Sequence, residues 1–363
     1  MAQWTVHMQG VLTRFYRASV VFGHKLYCFG GDIYHRGQID VHVFDTLTFS
    51  WTLPSETVGG EGRGERPAHV PSFRCHHTAV LIGHTVYVWG GEDCRTRRCC
   101  NTLYTFDVDT HRWFKPRDSG VPPAGRYGHS ACALGQVMYI HGGYINSRFR
   151  CTNEINTLDT RNMVWTLINT SGPPAHATIC HSGTIIGTKM FVFGGVGHPL
   201  GGMRAFDTMT GCWSFYPLRP LKDYWTHSSG HSAFAYNGEL YIFGYICGVM
   251  SRNIDQEFLW KFNPETGSWK NLQPKGTKGP NSNCHPHAVY SFLVGDCVFT
   301  FWGQCGSVDL FVLDLSPSLK TLCKLAVTQY GLEQSELPRE IRLELAAMNT
   351  NRGTGKPWNI LHT

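Results

Sequence analysis

Six short runs of β-branched and aromatic residues recur along the first three hundred positions, each of strand length. Four end in a glycine pair: LYCFGG at Gly30-Gly31, VYVWGG at Gly90-Gly91, MYIHGG at Gly142-Gly143 and MFVFGG at Gly194-Gly195. A fifth, LYIFGY, keeps Gly244 alone, and a sixth, VFTFWG, has Trp302 in the first-glycine position. Successive first positions are 60, 52, 52, 50 and 58 residues apart. After Ser316-Pro317 the period changes. Leu319, Leu322, Cys323, Ala326, Val327 and Tyr330 form one stripe at helical spacing, with Ser318 as a cap and Gly331 as a stop. A second helix is predicted over Leu337 to Met348, capped by Ser335, with Leu337, Ile341 and Leu345 on one face.

Two more landmarks keep register with the glycines. Asp45, Asp107, Asp159 and Asp207 each precede a tryptophan by six residues (Trp51, Trp113, Trp165, Trp213), and Asn263 with Trp269 holds the same offset. Before the first strand of a repeat stands Arg-x-x-His, complete at Arg74–His77 and Arg126–His129. Only the histidine remains at His181 and His231, where Thr178 and Ser228 hold the arginine position, and only the arginine at Arg14. A period near 50 with these marks resembles the kelch repeat over about residues 1–315. The resemblance implies an all-β, six-bladed β-propeller of four-stranded blades. The last repeat has its third strand, Asp309–Asp314, but no tryptophan after it, whereas the chain opens on Trp4-Thr-Val-His-Met. The N-terminal strand is therefore expected to complete the sixth blade and close the ring. The predicted organisation is a propeller over 1–315, a helical segment over 316–348 and a flexible tail over 349–363, NTNRGTGKPWNILHT.

Composition narrows the function. Charged residues make up only 16% against 13% aromatic, which suits a packed β protein rather than a disordered chain. The net charge of +6 comes without any run of Lys/Arg longer than two, so direct nucleic-acid binding is not expected. The 14 cysteines lack paired metal spacing, and no apolar run approaches membrane length. With no secretory pattern at the start, these features predict a reduced protein of cytoplasm or nucleus, in which the sequon at Asn169 carries no weight. No nucleophile elbow, phosphate loop or zinc-protease motif is present, so a non-catalytic protein with no cofactor and no metal is expected. His181, His231 and Cys247 as a copper site, and Cys94, Cys99 and Cys100 as a zinc site, are the metal alternatives, and both lack the required spacing.

The C-terminal helices add a narrower resemblance. Ser318-Leu319-x-x-x-Cys323-x-x-x-Val327 resembles an elongin-binding box, and Leu337-Pro338-x-x-Ile341-x-x-x-Leu345 is similar to a cullin-2 box. Their order and spacing after a propeller resemble the kelch substrate receptors of cullin-RING ubiquitin ligases. This implies Leu319, Cys323 and Val327 as elongin contacts and Leu337, Pro338, Ile341 and Leu345 as cullin contacts. Elongin B, elongin C, cullin-2 and a RING-box protein are the implied partners. It also implies clients read by their C-terminal end, with glycine last, on the face bearing the Arg-x-x-His segments and the post-glycine loops. Arg14, Arg17, Arg95, Arg97, Arg98 and Arg252 fall on that face by blade geometry, and Arg74, Arg126, Arg148, Arg150 and Ser229 are the candidate contacts. Paired guanidinium groups suit a carboxylate. Thr178, Ser228 and Val196, a position where such receptors carry arginine, depart from the pattern. The alternative is a kelch scaffold of chromatin or cytoskeletal assemblies with no ligase role.

Overall fold

The computed structural model describes residues 2–12, 18–30, 38–54, 70–148, 150–196, 202–217, 227–247, 259–276, 288–304 and 307–318, with 333, 335, 337–339, 341–342 and 361–362 beyond them. Each of the six runs is the second strand of a four-stranded antiparallel blade. Blade 1 comprises Ala18–Phe22, Lys25–Phe29, Val41–Asp45 and Ser50–Leu53. Blade 2 runs through Thr78–Ile82, Thr85–Trp89, Tyr104–Asp107 and Trp113–Phe114, and blade 3 through Ser130–Leu134, Val137–His141, Ile155–Asp159 and Val164–Ile168. Blade 4 comprises Ile179–Ile186, Lys189–Val196, Gly202–Asp207 and Cys212–Pro217, and blade 5 His227–Tyr236, Glu239–Cys247, Leu259–Asn263 and Ser268–Leu272. Blade 6 takes Ala288–Val294, Cys297–Gln304 and Ser307–Asp314 from the end of the ring and Gln3–Leu12 from its start. The predicted closure is found: Gln3 lies opposite Asp314, Trp4 opposite Leu313 and Met8 opposite Leu310. First strands neighbour one another in cyclic order, with blade 6 beside blade 1.

Six tryptophans lock the ring. Each outer-strand tryptophan packs on the aromatic residue just before the first-glycine position in the preceding blade. The pairs are Trp113 on Phe29, Trp165 on Trp89, Trp213 on His141, Trp269 on Phe193, Trp4 on Phe243 and Trp51 on Phe301, with centroids 5.4–5.9 Å apart. The last pair joins blade 1 to blade 6, so the circle has no gap. Trp4 is therefore the sixth member of the tryptophan series, as its place at the chain's start implied. Such pairs add about 0.5–1.5 kcal/mol each beyond the area they bury. The aspartate six residues earlier holds the turn into the outer strand. Asp107 Oδ1 accepts from the Asp109 and Thr110 amides at 3.2 and 2.7 Å, and Asn263 Oδ1 does the same for Glu265 and Thr266 at 2.9 Å.

The glycine pairs have a second reason beyond their positive φ. At Gly90 (φ 72°) an added Cβ would lie 2.5 Å from His129 Cε1 and 2.9 Å from the Arg126 carbonyl oxygen. At Gly142 the same atoms of His181 and Thr178 would be met at 2.6 and 3.1 Å. The next blade's Arg-x-x-His segment thus sits where a side chain would go. Gly90→Ala is expected to cost about 2–3 kcal/mol, combining backbone strain with overpacking. Gly135→Ala, at φ 58° with nothing within 4 Å of its Cβ, should cost about 1 kcal/mol. Chemical denaturation of the two variants checks this, and equal losses would remove the inter-blade contact as the cause.

Past the ring, the described part of 333–342 contains one helical bond, from the Arg342 amide to the Pro338 carbonyl at 3.0 Å. Most of both predicted helices lies outside the described residues. Two residues of the stretch read as a tail do make structure: Leu361–His362 pairs in parallel with Thr52–Leu53 on the outer edge of blade 1. A strand edge offers unpaired amides and carbonyls to any extended segment. No described helix is long and apolar enough to cross a membrane.

Candidate functional site

The loop-bearing face is built on the repeated frame. The Gly91 amide donates to the Arg126 carbonyl at 2.9 Å, the Gly143 amide to the Thr178 carbonyl at 2.9 Å, and Gly195 lies opposite Ser228. A second row runs beside it, with Gly128 N donating to His76 O at 3.1 Å and Cys180 N to Gly128 O at 2.8 Å. His76 and Cys180 take φ of 56° and 59°, the left-handed conformation that Gly128 (φ 65°) adopts without strain. Blades 2 to 5 are thereby stitched in sequence by backbone bonds on this face.

Arg74 and Arg126 belong to this frame. Arg126 is fully buried: Nε donates to Ala124 O at 3.1 Å, Nη1 to Gly142 O at 3.2 Å and Nη2 to Glu154 Oε2 at 2.8 Å. Arg74, 2% exposed, repeats the pattern with Ser72 O at 3.1 Å, Gly90 O at 3.3 Å and Ser72 Oγ at 3.3 Å, and its guanidinium lies over the Tyr104 ring. Both were expected to meet a client carboxylate, and both are buried with donors engaged inside the propeller. Their donors hold the glycine carbonyls, Ser72 and Glu154, and a client could reach them only by breaking those bonds. Where arginine is lost, Thr178 Oγ1 donates to Val196 O at 3.0 Å, so a hydroxyl keeps the strand end in place.

Beneath the mouth lies a set of contacts the sequence reading missed. The histidines of blades 3, 4 and 5 each bond a hydroxyl on the first strand of the preceding blade. Thr78 Oγ1 meets His129 Nε2 at 2.8 Å, Ser130 Oγ meets His181 Nε2 at 2.9 Å and Ser182 Oγ meets His231 Nε2 at 2.9 Å. His141 Nδ1 stands 3.0 Å from His181 Nε2. The signal was available: His-Thr or His-Ser occurs at 77–78, 129–130, 181–182 and 231–232. Burial, and then the neighbouring Arg74 charge, push His77 down to about 3. Burial and then His231 lower His181 to about 4, and burial first of all holds His129 and His141 well below the ordinary histidine range. These imidazoles are neutral at pH 7. His181 and His231 are thus occupied as blade staples, and no three described His, Cys, Asp or Glu residues are arranged to hold a metal. The thiols of Cys94, Cys99 and Cys100 are directed at backbone carbonyls, those of Glu92, Tyr144 and Arg98.

Among the described residues, the unrepeated part of the face lies on blades 2 and 3. Glu92–Asp93 pairs with Arg74–Cys75, and the following turn exposes Arg95, Arg97 and Arg98. Arg97 reaches Glu92 at 3.2 Å while remaining 73% exposed. In blade 3, Tyr144–Ile145 pairs with Arg150–Cys151 and exposes Arg150, with Arg148 in the intervening 3-10 turn. The two loops are tied together by Asn146 Nδ2 donating to Arg97 O at 2.9 Å. Between them runs a row of half-buried rings, His76, Tyr127 and Tyr144, with centroids 6.0 and 5.4 Å apart. Ser229 lies on the first strand of blade 5, at the same mouth. Its side chain, that of Arg148, and Arg14, Arg17 and Arg252 lie outside the description.

The box positions divide. Leu319, Cys323, Val327 and Leu345 lie outside the described residues. Pro338 is exposed, whereas Leu337 and Ile341 pack against the apolar core shared by blades 6 and 1.

Comparison with known proteins agrees with the frame. Residues 76–306 match the KLHDC2/KLHL20/DRC7 Kelch-repeats domain and residues 13–56 the Kelch motif. The chain is 45% identical to Kelch domain-containing protein 3 of Homo sapiens and 44% to that of Bos taurus, covering 98% of each chain in both cases. A more distant match, 27% identical over 70% of this chain and 76% of the relative, is N-(sulfonatooxy)prop-2-enimidothioate sulfolyase of Thlaspi arvense.

Proposed function

The chain belongs to the kelch-repeat family, and on that premise we propose that it is the substrate-recognition subunit of a cullin-2/elongin RING ubiquitin ligase, reading client C-termini on the loop face of its propeller. The observation that carries the reading is the pair of box-like patterns at 318–345, in order and directly after a ring whose loop face is cationic on blades 2 and 3. In this reading the subunit is non-catalytic, works in the cytoplasm or nucleus, and uses Leu319, Cys323 and Val327 to meet elongin. Pro338 and Leu345 are the cullin-facing members of the second pattern. Client recognition moves from the buried Arg74 and Arg126 to Arg95, Arg98, Arg148 and Arg150, with Ser229 across the channel mouth.

A terminal carboxylate supplies what these arginines match, and amidation removes only that charge. Peptides ending in free glycine should therefore bind roughly 10-fold or more tightly than their amides, the difference a charge-assisted bidentate contact makes. Titration of labelled acid and amide pairs against the full chain measures it, and equal affinities overturn the carboxylate reading. Capture of elongins and cullin-2 from extract, lost on Leu319→Ser or Cys323→Arg, tests the other half. A second reading, a kelch interaction scaffold without ligase role, is favoured by one observation: Leu337 and Ile341 are packed on the propeller. Peptide binding with no elongin or cullin capture would select it.

A further inference from the structure

The ring has one seam. Blades 1 to 5 each take all four strands from one continuous stretch of chain, but blade 6 is completed by Gln3–Leu12, paired with Ser307–Asp314 with irregularities between Trp4 and Val6 and between Met8 and Leu12. Two pieces of the C-terminal segment converge on this seam. Leu337 and Ile341 pack against a core built from both sides of it: Val6, Met8, Phe292, Phe299 and Leu310 of blade 6, and Phe44 and Trp51 of blade 1.

The second piece is explained by what happens at the outer edges of other blades. There, the connection leaving one blade lies in parallel along the outer strand of the next. Ser119–Gly120 pairs with Val164–Trp165 of blade 3, Ser171 bridges Cys212 of blade 4, and Lys275–Gly276 pairs with Gln3–Trp4 of blade 6. The bonds bracket the locking tryptophan: Val121 N donates to Trp165 O at 3.0 Å, and Trp213 N to Ser171 O at 2.8 Å. Blade 1 is preceded by blade 6, whose outer strand is the N-terminal one and runs on into blade 1 itself. Its outer edge beside Trp51 is taken instead by Leu361–His362, in the same parallel sense.

We infer that the C-terminal segment is a two-point clasp on the ring's seam, with Leu337 and Ile341 wedged between blades 6 and 1 and Leu361–His362 serving as the strap that inter-blade connections supply elsewhere. The clasp opposes separation of the N-terminal strand and the outer edge of blade 1. A partner that takes Leu337 and Ile341 as its own anchors must unseat them from the seam first.

Amide hydrogen exchange on the full chain reads both points separately. Leu337→Ala with Ile341→Ala should speed exchange on the order of tenfold in Gln3–Leu12 and Ser50–Leu53, leaving Val137–His141 of blade 3 at its original rate. Leu361→Pro with His362→Pro removes two amides and fixes φ, and should speed exchange in Ser50–Leu53 alone. Unchanged rates in both variants, or acceleration spread evenly over all six blades, overturn the clasp. The second pair acts on backbone pairing at the ring's outer edge, so it remains readable if the alanine pair folds poorly.

Discussion

Replacing Arg126 with alanine should destabilise the propeller by about 3–5 kcal/mol, the range for breaking one side of a buried ion pair. The loss combines three consequences. Glu154 keeps its carboxylate at 29% exposure without the guanidinium 2.8 Å away. The carbonyls of Gly142 and Ala124 lose their donors. The cavity left by a large, wholly buried side chain adds its own cost. Lysine cannot substitute, because one ammonium cannot serve three acceptors placed for a planar fork. Arg150→Ala is the counterpart: on an exposed two-residue strand it should leave stability within about 0.5 kcal/mol while weakening peptide capture. Urea unfolding and peptide titration of both variants separate frame from surface. An Arg126→Ala protein with an unshifted midpoint and lost peptide binding would return Arg126 to the client face.

That contrast explains what the sequence made legible. A residue recurring at 52-residue spacing with its glycine pair and histidine does in every blade what geometry demands of every blade, which is to hold it to its neighbour. Gly90 and Gly142, Trp113 and Trp165, Arg74 and Arg126 are all of this kind, and the period that revealed the fold marked the arginines as frame. A client touches one place and has no reason to repeat, so a recurring arginine is a weaker candidate for a client contact than an unrepeated one. The surface left by subtraction, Arg95 and Arg98 with Arg150 beside Tyr127 and Tyr144, is what the period does not account for. The N-terminal closure was legible because Trp4 carries the missing sixth mark. The strap at Leu361–His362 was not, because two residues of parallel pairing on backbone alone leave no pattern in side chains. The histidine–hydroxyl staples were hidden for another reason. A serine or threonine after each histidine looks like ordinary strand alternation until neighbouring blades are placed side by side.

The buried histidines of the ring make it sensitive to acid. His77 and His181 are wholly buried, at about 3 and about 4, and in the unfolded chain both return to near 6.5. Depressed folded values mean that the unfolded state binds protons first. Stability is therefore complete above about pH 6.5 and falls as the pH drops through that value, until the folded imidazoles titrate in turn near 4 and 3. At pH 5 each of the two contributes a loss of about 2 kcal/mol, so the pair removes roughly 4 kcal/mol relative to pH 7. His129 and His141, lowered by the same burial, add to it in the same direction. Protonation also gives His181 a second donor where Ser130 Oγ and His141 Nδ1 share one nitrogen, and brings two cations within 3.0 Å if both rings charge. Urea midpoints at pH 7.5, 6 and 5 should fall steeply across the lower interval. His181→Gln, weaker at every pH because it disturbs the same contacts, should show a shallower fall since one titrating group is gone. A midpoint that stays level from pH 7.5 to pH 5 would mean that these histidines are not held neutral inside the ring.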